Sequence, residues 1–252
     1  MVILLTNDDG IFAAGLYALY HQFEAEHKVY VVAPESEQSA VGHALTLSNP
    51  LRVKEVYRNG NFYGWAVSGT PADAVKIAVN ELLPTRPDLV ISGINLGPNV
   101  GINVLYSGTV SAATEAAILG IPAVAVSLDT YTNPDYKPAA EFIYKLAPKV
   151  SKLNLPPGVC LNINIPALPL EQIKGVALTR QATVPLKDKF EKRVDPRQRV
   201  YYWEAEDGFQ GQPEPGTDMY ALKEGKISIT PIHHDLTHYP TLEMLAEKYI
   251  LF

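Results

Sequence analysis

The chain has 252 residues, with 21 Lys and Arg against 27 Asp and Glu, for a formal net charge of -6. That length holds one large α/β domain or a core with a smaller appendage, and 47% hydrophobic with 19% charged residues is ordinary globular composition. The acidic balance excludes a protein that grips a phosphate backbone through bulk positive charge, though not one that binds phosphate through a local cation.

Cys160 is the only cysteine, so no intrachain disulfide can form and a reducing compartment is the simpler expectation. Lying between Val159 and Leu161, it reads as a packing residue. No basic segment precedes the apolar Val2 to Leu5, and two acids follow at once, which does not suit a signal peptide. No apolar run approaches the roughly 20 residues of a membrane span. A soluble, cytoplasmic protein without membrane contact is expected.

Val2 to Thr6 reads as a buried strand that opens into the turn Asn7-Asp8-Asp9-Gly10. A helix is expected from Ala13 to Phe23, with Leu16, Leu19, Tyr20 and Phe23 at helical spacing. Lys28 to Ala33 is the next strand, closed by Pro34. Leu51 to Tyr57 and Phe62 to Val67, split by Asn59-Gly60, predict a hairpin with a primed turn. Thr70-Pro71-Ala72-Asp73 is a helix start: Thr70 can cap, Pro71 suits the first helical position, and Asp73 faces the positive end of the dipole. Asp88 to Ser92 predicts a strand, Thr109 to Leu119 a helix capped by Gly120, and Pro138 to Leu153 another helix. Ala123 to Ser127 and Val159 to Ile165 supply further strands. Alternation of this kind signals a mainly parallel sheet covered by helices.

After about Gln181 the pattern changes. Residues 187–199 carry Lys187, Lys189, Lys192, Arg193, Arg197 and Arg199 against Asp188, Glu191 and Asp195. Val200-Tyr201-Tyr202-Trp203 and a turn-rich Asp207 to Gly216 follow, which reads as a hairpin or arm. Lys226 to Pro231 is a return strand and Thr241 to Ile250 a terminal helix. The division expected is an α/β core over 1–180 and a unit of hairpin arm, return strand and terminal helix over 181–252, suited to oligomerisation. Such an arm serves subunit exchange or stands as a surface hairpin, and composition does not choose between them.

Four polar clusters follow strands, where a parallel sheet collects its ligands. Adjacent carboxylates such as Asp8 and Asp9 repel unless a cation or proton lies between them, and hard oxygen donors suit Mg²⁺, Mn²⁺ or Ca²⁺. An Asp-rich turn that merely caps the next helix explains the same residues equally well. Pro34 to Gly42, with Ser36 and Ser39, is an ordinary small-residue loop that can present hydroxyls. Ser92 to Gly101 contains Asn95, able to give a neutral carbonyl ligand, and Asn99, able to offer an amide to phosphate; its glycines also fit a purely structural loop. Tyr106-Ser107-Gly108-Thr109-Val110 runs into an Ala-rich helix, and helix-start N–H groups with two hydroxyls make a phosphate seat as well as a cap.

The chain has no nucleoside-triphosphate loop, no Gly-x-Gly-x-x-Gly after the first strand, no Gly-x-Ser-x-Gly elbow and no His-Glu-x-x-His. His233-His234-Asp235 with His238 lacks a fourth ligand of clear spacing and reads as a surface or interface segment.

Ile3-Leu4-Leu5-Thr6-Asn7-Asp8-Asp9-Gly10, Gln38-Ser39-Ala40, Val67 to Asp73, Ser92 to Gly97 and Tyr106 to Ala113 together resemble the SurE (survival protein E) family. Asn162-Ile163-Asn164-Ile165-Pro166, Gly216-Thr217-Asp218 and Ile227 to Pro231 extend the resemblance over nearly the whole chain. It implies a 5'/3'-nucleotidase that hydrolyses nucleoside 5'- and 3'-monophosphates, with a possible side activity on short polyphosphate. It also implies a Rossmann-like three-layer α/β core with a protruding β-hairpin, an exchanged C-terminal element, and a homodimer or homotetramer. By position it assigns one divalent ion per subunit (Mg²⁺ or Mn²⁺) to Asp8, Asp9, Ser39 and Asn95, and phosphate contacts to Ser107, Gly108, Thr109 and, in the same loop region, Asn99. It gives no role to His43.

The chemistry of these residues agrees with that family. Phosphoryl transfer needs charge neutralisation and an in-line nucleophile, which here implies direct attack by metal-bound water with Asp8 or Asp9 accepting the proton. A covalent aspartyl route would call for Asp-x-Asp spacing and a helper lysine, whereas these two acids are adjacent.

Overall fold

The computed structural model describes residues 1–248. In chain order its elements are β1 (Val2–Thr6), α1 (Ala14–Phe23), β2 (Lys28–Pro34), β3 (Val53–Arg58), β4 (Asn61–Val67), α2 (Pro71–Ile77), β5 (Leu89–Leu96), α3 (Gly108–Ile118), β6 (Ala123–Asp129), α4 (Lys137–Val150), β7 (Val159–Pro166), β8 (Val176–Leu178), β9 (Leu186–Val194), β10 (Val200–Phe209), α5 (Asp218–Lys223), β11 (Ile227–His233) and α6 (Tyr239–Lys248). The last two residues of the expected terminal helix, Tyr249 and Ile250, lie outside the described residues.

Nine strands form one sheet in the order β3-β4-β2-β1-β5-β6-β7-β11-β8. The five central strands β2, β1, β5, β6 and β7 run parallel. Antiparallel pairs occur towards the edges, β3 with β4 and β11 with β7. The chain passes from β1 to β2 on one side and later returns with β5 on the other. That reversal is the switch point at which a doubly wound sheet opens its ligand crevice.

Strand alternation splits the core into two layers. Ile3, Leu5, Leu89 and Ile91 face α1 and α4, packing with Leu16, Phe23 and Ile143. Leu4 and Val90 point the other way, onto Val75 of α2 and Ala112, Ala113 and Ala116 of α3. Alanine along α3 lets that helix approach the sheet closely, which brings its N-terminus up to the strand ends. The helix-covered, mainly parallel sheet expected from the alternating pattern, and the three-layer core that the family resemblance implies, are thus what the chain forms.

Local chemistry fixes the helix starts. Thr70 Oγ1 accepts from the Asp73 N–H while the Asp73 carboxylate accepts from the Thr70 N–H, a capping box with Pro71 in the first turn. Ser107 caps α3 by accepting from the Val110 N–H at 3.1 Å. At the far end Gly120 takes φ +74°, the left-handed cap expected there.

β9 and β10 form a separate two-stranded antiparallel hairpin, as the charge and aromatic pattern predicted. The expected return strand is β11; it inserts between β7 and β8 of the main sheet, so this late segment is part of the core layer. Two short elements carried too little periodicity to be anticipated: β8 has three residues and α5 six. Among the described residues no helix is long and apolar enough to cross a membrane.

Candidate metal and phosphate site

The turn after β1 is held by Asn7, whose Nδ2 donates to the Gly10 carbonyl at 3.0 Å. Asn7 is fully buried and its Oδ1 has no protein partner. Asp8 is buried as well. Its Oδ1 accepts the Thr109 hydroxyl, and Gly108 packs against the same carboxylate. Asp8 therefore sits on the N-terminus of α3, where the helix dipole and the free N–H groups favour an anion.

Gly108 is required by that contact. A Cβ there would lie 2.7 Å from Asp8 Cβ and 2.9 Å from Asp8 Oδ2. The close approach, rather than any unusual φ, excludes a side chain.

Asp9 points towards β5, where the Leu96 backbone N–H reaches its carboxylate. Burial and the neighbouring Asp8 charge push its pKa up from 3.8 to about 7, with Glu37 adding to the repulsion. Burial also raises Asp8, against the lowering effect of its hydrogen bonds to Thr109. Two carboxylates displaced upward side by side form a site that gains from a cation.

The other two assigned metal ligands are Ser39, on the loop after β2, and Asn95, near the end of strand β5. The Gln38 N–H donates to the Asp8 carbonyl at 2.7 Å, which lays the loop after β2 beside the turn. Ser39, next in sequence and exposed, donates from Oγ to Glu37 Oε1 at 2.5 Å and keeps its lone pairs available. Asn95 precedes Leu96, and its Nδ2 donates to the Gly97 carbonyl at 2.8 Å. That bond fixes the amide and leaves Oδ1 as a neutral acceptor. Among the described residues no three His, Cys, Asp or Glu side chains gather as a metal site. A cation here would therefore be held by two carboxylates and neutral oxygens, a set that suits Mg²⁺ or Mn²⁺.

Asn99 has a different environment from Ser107, Gly108 and Thr109. It is buried, and its Nδ2 donates to Ser127 Oγ at 2.9 Å. Its backbone N–H donates to Asn164 Oδ1 at 2.8 Å, while Asn162 and Asn164 both donate to its carbonyl. These bonds use the polar capacity of β6 and β7 to anchor the loop after β5. The Asn162-Ile163-Asn164 pattern thus alternates loop-anchoring amides with a core isoleucine.

Tyr136, just before α4, also borders the pair; burial and the Asp9 charge both raise its phenol. Spacing gave no sign of this residue. Two open clefts lie elsewhere, one beside Asp135, Lys137 and Glu171, the other at the arm's base beside Arg180 and Glu214, and neither is lined by Asp8 or Asp9. In the late histidine segment the rings of His233 and His234 lie 4.5 Å apart, and His233 Nδ1 accepts the Asp235 N–H at 3.1 Å.

A family model described as "Survival protein SurE" matches residues 3–188. The 5'-nucleotidase SurE of Syntrophobacter fumaroxidans is 55% identical over 98% of this chain and 99% of its own. That of Syntrophus aciditrophicus is 56% identical over 97% and 92% respectively. The crystal structure of the SurE protein from Aquifex aeolicus superposes with a TM-score of 0.84 at 39% identity, covering 98% of this chain and 99% of that one. With matches spanning almost its entire length, the chain belongs to the SurE family.

Proposed function

We propose that this protein is a divalent-metal-dependent phosphomonoesterase that hydrolyses nucleoside 5'- and 3'-monophosphates, with short polyphosphate as a side substrate. The observation that carries the reading is the seating of Asp8 on the N-terminus of α3, tied there by the Thr109 hydroxyl and packed against Gly108. One element thereby faces both the cation and the phosphate. The 5'-nucleotidase names of relatives sharing more than half of the sequence support the choice of substrate.

Asp8, Asp9, Ser39 and Asn95 would hold the cation, all through oxygen. When bound, that ion neutralises phosphate charge and makes a water more acidic. The protein's own groups do the rest. Ser107, Gly108 and Thr109 hold the phosphate oxygens with hydroxyls and the helix N-terminus, aligning the ester for in-line displacement. Asp8 or Asp9 accepts the proton from the attacking water. Asn99 is assigned to the phosphate as well: one of its two amide N–H groups is anchored by Ser127, which aims the amide and leaves the other to donate.

The oligomerisation unit proposed for residues 181–252 is supported by the arm's exposed Phe190, Tyr202 and Trp203 and by Leu242 and Leu245 on α6, which suit a homodimer or homotetramer.

The test is phosphate release from AMP and GMP with Mg²⁺ or Mn²⁺, absent with EDTA and in Asp8→Asn or Asp9→Asn. Tight nucleotide binding without phosphate release, whichever divalent ion is supplied, would overturn the proposal.

A further inference from the structure

The segment between β2 and β3 contains neither helix nor strand, yet it is fastened at several points. Beyond the Gln38 contact with Asp8, the Gly42 N–H donates to the Tyr106 carbonyl at 2.9 Å. Thr70 Oγ1 donates to the Ala44 carbonyl at 2.7 Å, and the Thr46 N–H is shared by both Asp73 oxygens at 3.1 and 3.2 Å. Tyr106, Thr70 and Asp73 stand at the starts of α3 and α2.

His43 lies in the middle of this strip. Its Nε2 meets Glu115 Oε2 at 2.8 Å. Glu115 belongs to α3 and is buried. A carboxylate in an alanine-lined helix is costly unless partners surround it. Its partners are His43 from the loop and Lys76 of α2, whose Nζ lies 3.4 Å from Oε1. The acid thus joins three segments: the loop that carries Ser39, the helix that seats Asp8, and α2.

We propose that His43 and Glu115 are positioning residues of the cation site, clamping the Ser39 loop onto α3 so that Ser39 is set beside Asp8 before any cation binds. The proposal rests on the reading of Ser39 as an oxygen donor to that cation. His43 meets the Glu115 carboxylate of α3, which Lys76 of α2 also meets, while the Asp73 carboxylate of α2 holds Thr46. Side-chain volume matters little at this position, since a third of the His43 side chain is open to solvent. What matters is a donor that reaches Glu115.

The experiment pairs amide hydrogen exchange of the metal-free protein with Mn²⁺ titration followed by the EPR signal of the free ion. His43→Ala is expected to speed exchange at Gly42 and Thr46 at least tenfold and to weaken Mn²⁺ binding at least fivefold, with β1 and β5 unchanged. His43→Gln, whose amide can donate to Glu115, is expected to restore both to within about twofold. Should the Ala variant exchange faster throughout the sheet, His43→Leu replaces it under the same criteria. Wild-type exchange in the variant overturns the proposal, and so does a loosened loop with unchanged Mn²⁺ affinity. A wild-type protein that binds no Mn²⁺ would sink the proposed metal dependence and the clamp together, whereas equal binding by wild type and His43 variants sinks the clamp alone.

Discussion

The Thr109 hydroxyl donates to Asp8 Oδ1, joining the first turn of α3 to the acidic turn that follows β1. Both residues are buried, and Gly108 packs against the same carboxylate with no room for a side chain. One element thus orients an acid and, under the proposed function, presents the donors that would hold the phosphate, so an error in either would displace the other.

Thr109→Val keeps the shape and removes the donor. The Asp8 carboxylate then loses one of its hydrogen bonds in a buried setting, at a cost of about 1–3 kcal/mol. Phosphate release should fall by more than tenfold with circular dichroism unchanged, while Thr109→Ser should retain most activity. A Val variant as active as wild type would show that this hydroxyl does not orient Asp8.

The acid pair makes the metal-free protein sensitive to pH. Asp9 titrates near 7 in the fold, whereas its ordinary value is 3.8. Between those values the folded state binds more protons than the unfolded chain, so stability falls as pH rises and levels off above about 7. Asp8 is shifted in the same direction and reinforces the trend. In EDTA the melting temperature should therefore fall between pH 5 and pH 8, by a few degrees for a chain of this size because solvent screens the partly exposed Asp9. Asp9→Asn should flatten the slope, and Mg²⁺ or Mn²⁺ should raise the melting temperature most at pH 8. An Asp9→Asn slope equal to that of wild type would assign the trend to other groups.

How much of this was legible in the sequence depended on the range of the signals. The parallel core was readable because Ile3, Leu4 and Leu5 form an apolar run buried on both faces, and because Thr70-Pro71-Ala72-Asp73 states its cap in four adjacent residues. Cys160 shows the same legibility: expected as packing, it is fully buried with its thiol pushed up to about 11. The seating of Asp8 on α3 was not readable by spacing, since residues 8 and 109 meet only through the fold. The pairing of His43 with Glu115 across 72 residues was equally hidden. A local hint existed in a glutamate set among alanines on a helix otherwise suited to burial. The bond from the Asn99 amide to Ser127 left no trace, because an asparagine in a glycine-rich loop looks alike whether or not a neighbouring strand anchors it.

Asp218 ties the arm's base to the same loop system, and its substitution gives the last prediction. The carboxylate is fully buried; Oδ1 accepts the N–H groups of Ala182 and Met219 at 2.9 and 2.8 Å, and Oδ2 accepts that of Gly101 at 2.9 Å. Gly101 opens the short helical segment that leads to Tyr106, and Ala182 begins the path into the hairpin. Asp218→Ala would strand three backbone donors, two of which join segments distant in sequence. At about 1–3 kcal/mol for each donor left unsatisfied, with partial recovery by water, a net loss of about 3 kcal/mol is expected. For a chain of this size that corresponds to roughly 6–12 °C in melting temperature. Asp218→Asn retains one acceptor oxygen but turns an amide N–H₂ towards a backbone N–H, so it should fall between the Ala variant and wild type. Limited proteolysis should find the stem from Gln181 to Pro185 cleaved faster in the order Ala, Asn, wild type. An Ala variant melting within about 2 °C of wild type would mean that these donors find other partners and that the arm's base is held from elsewhere.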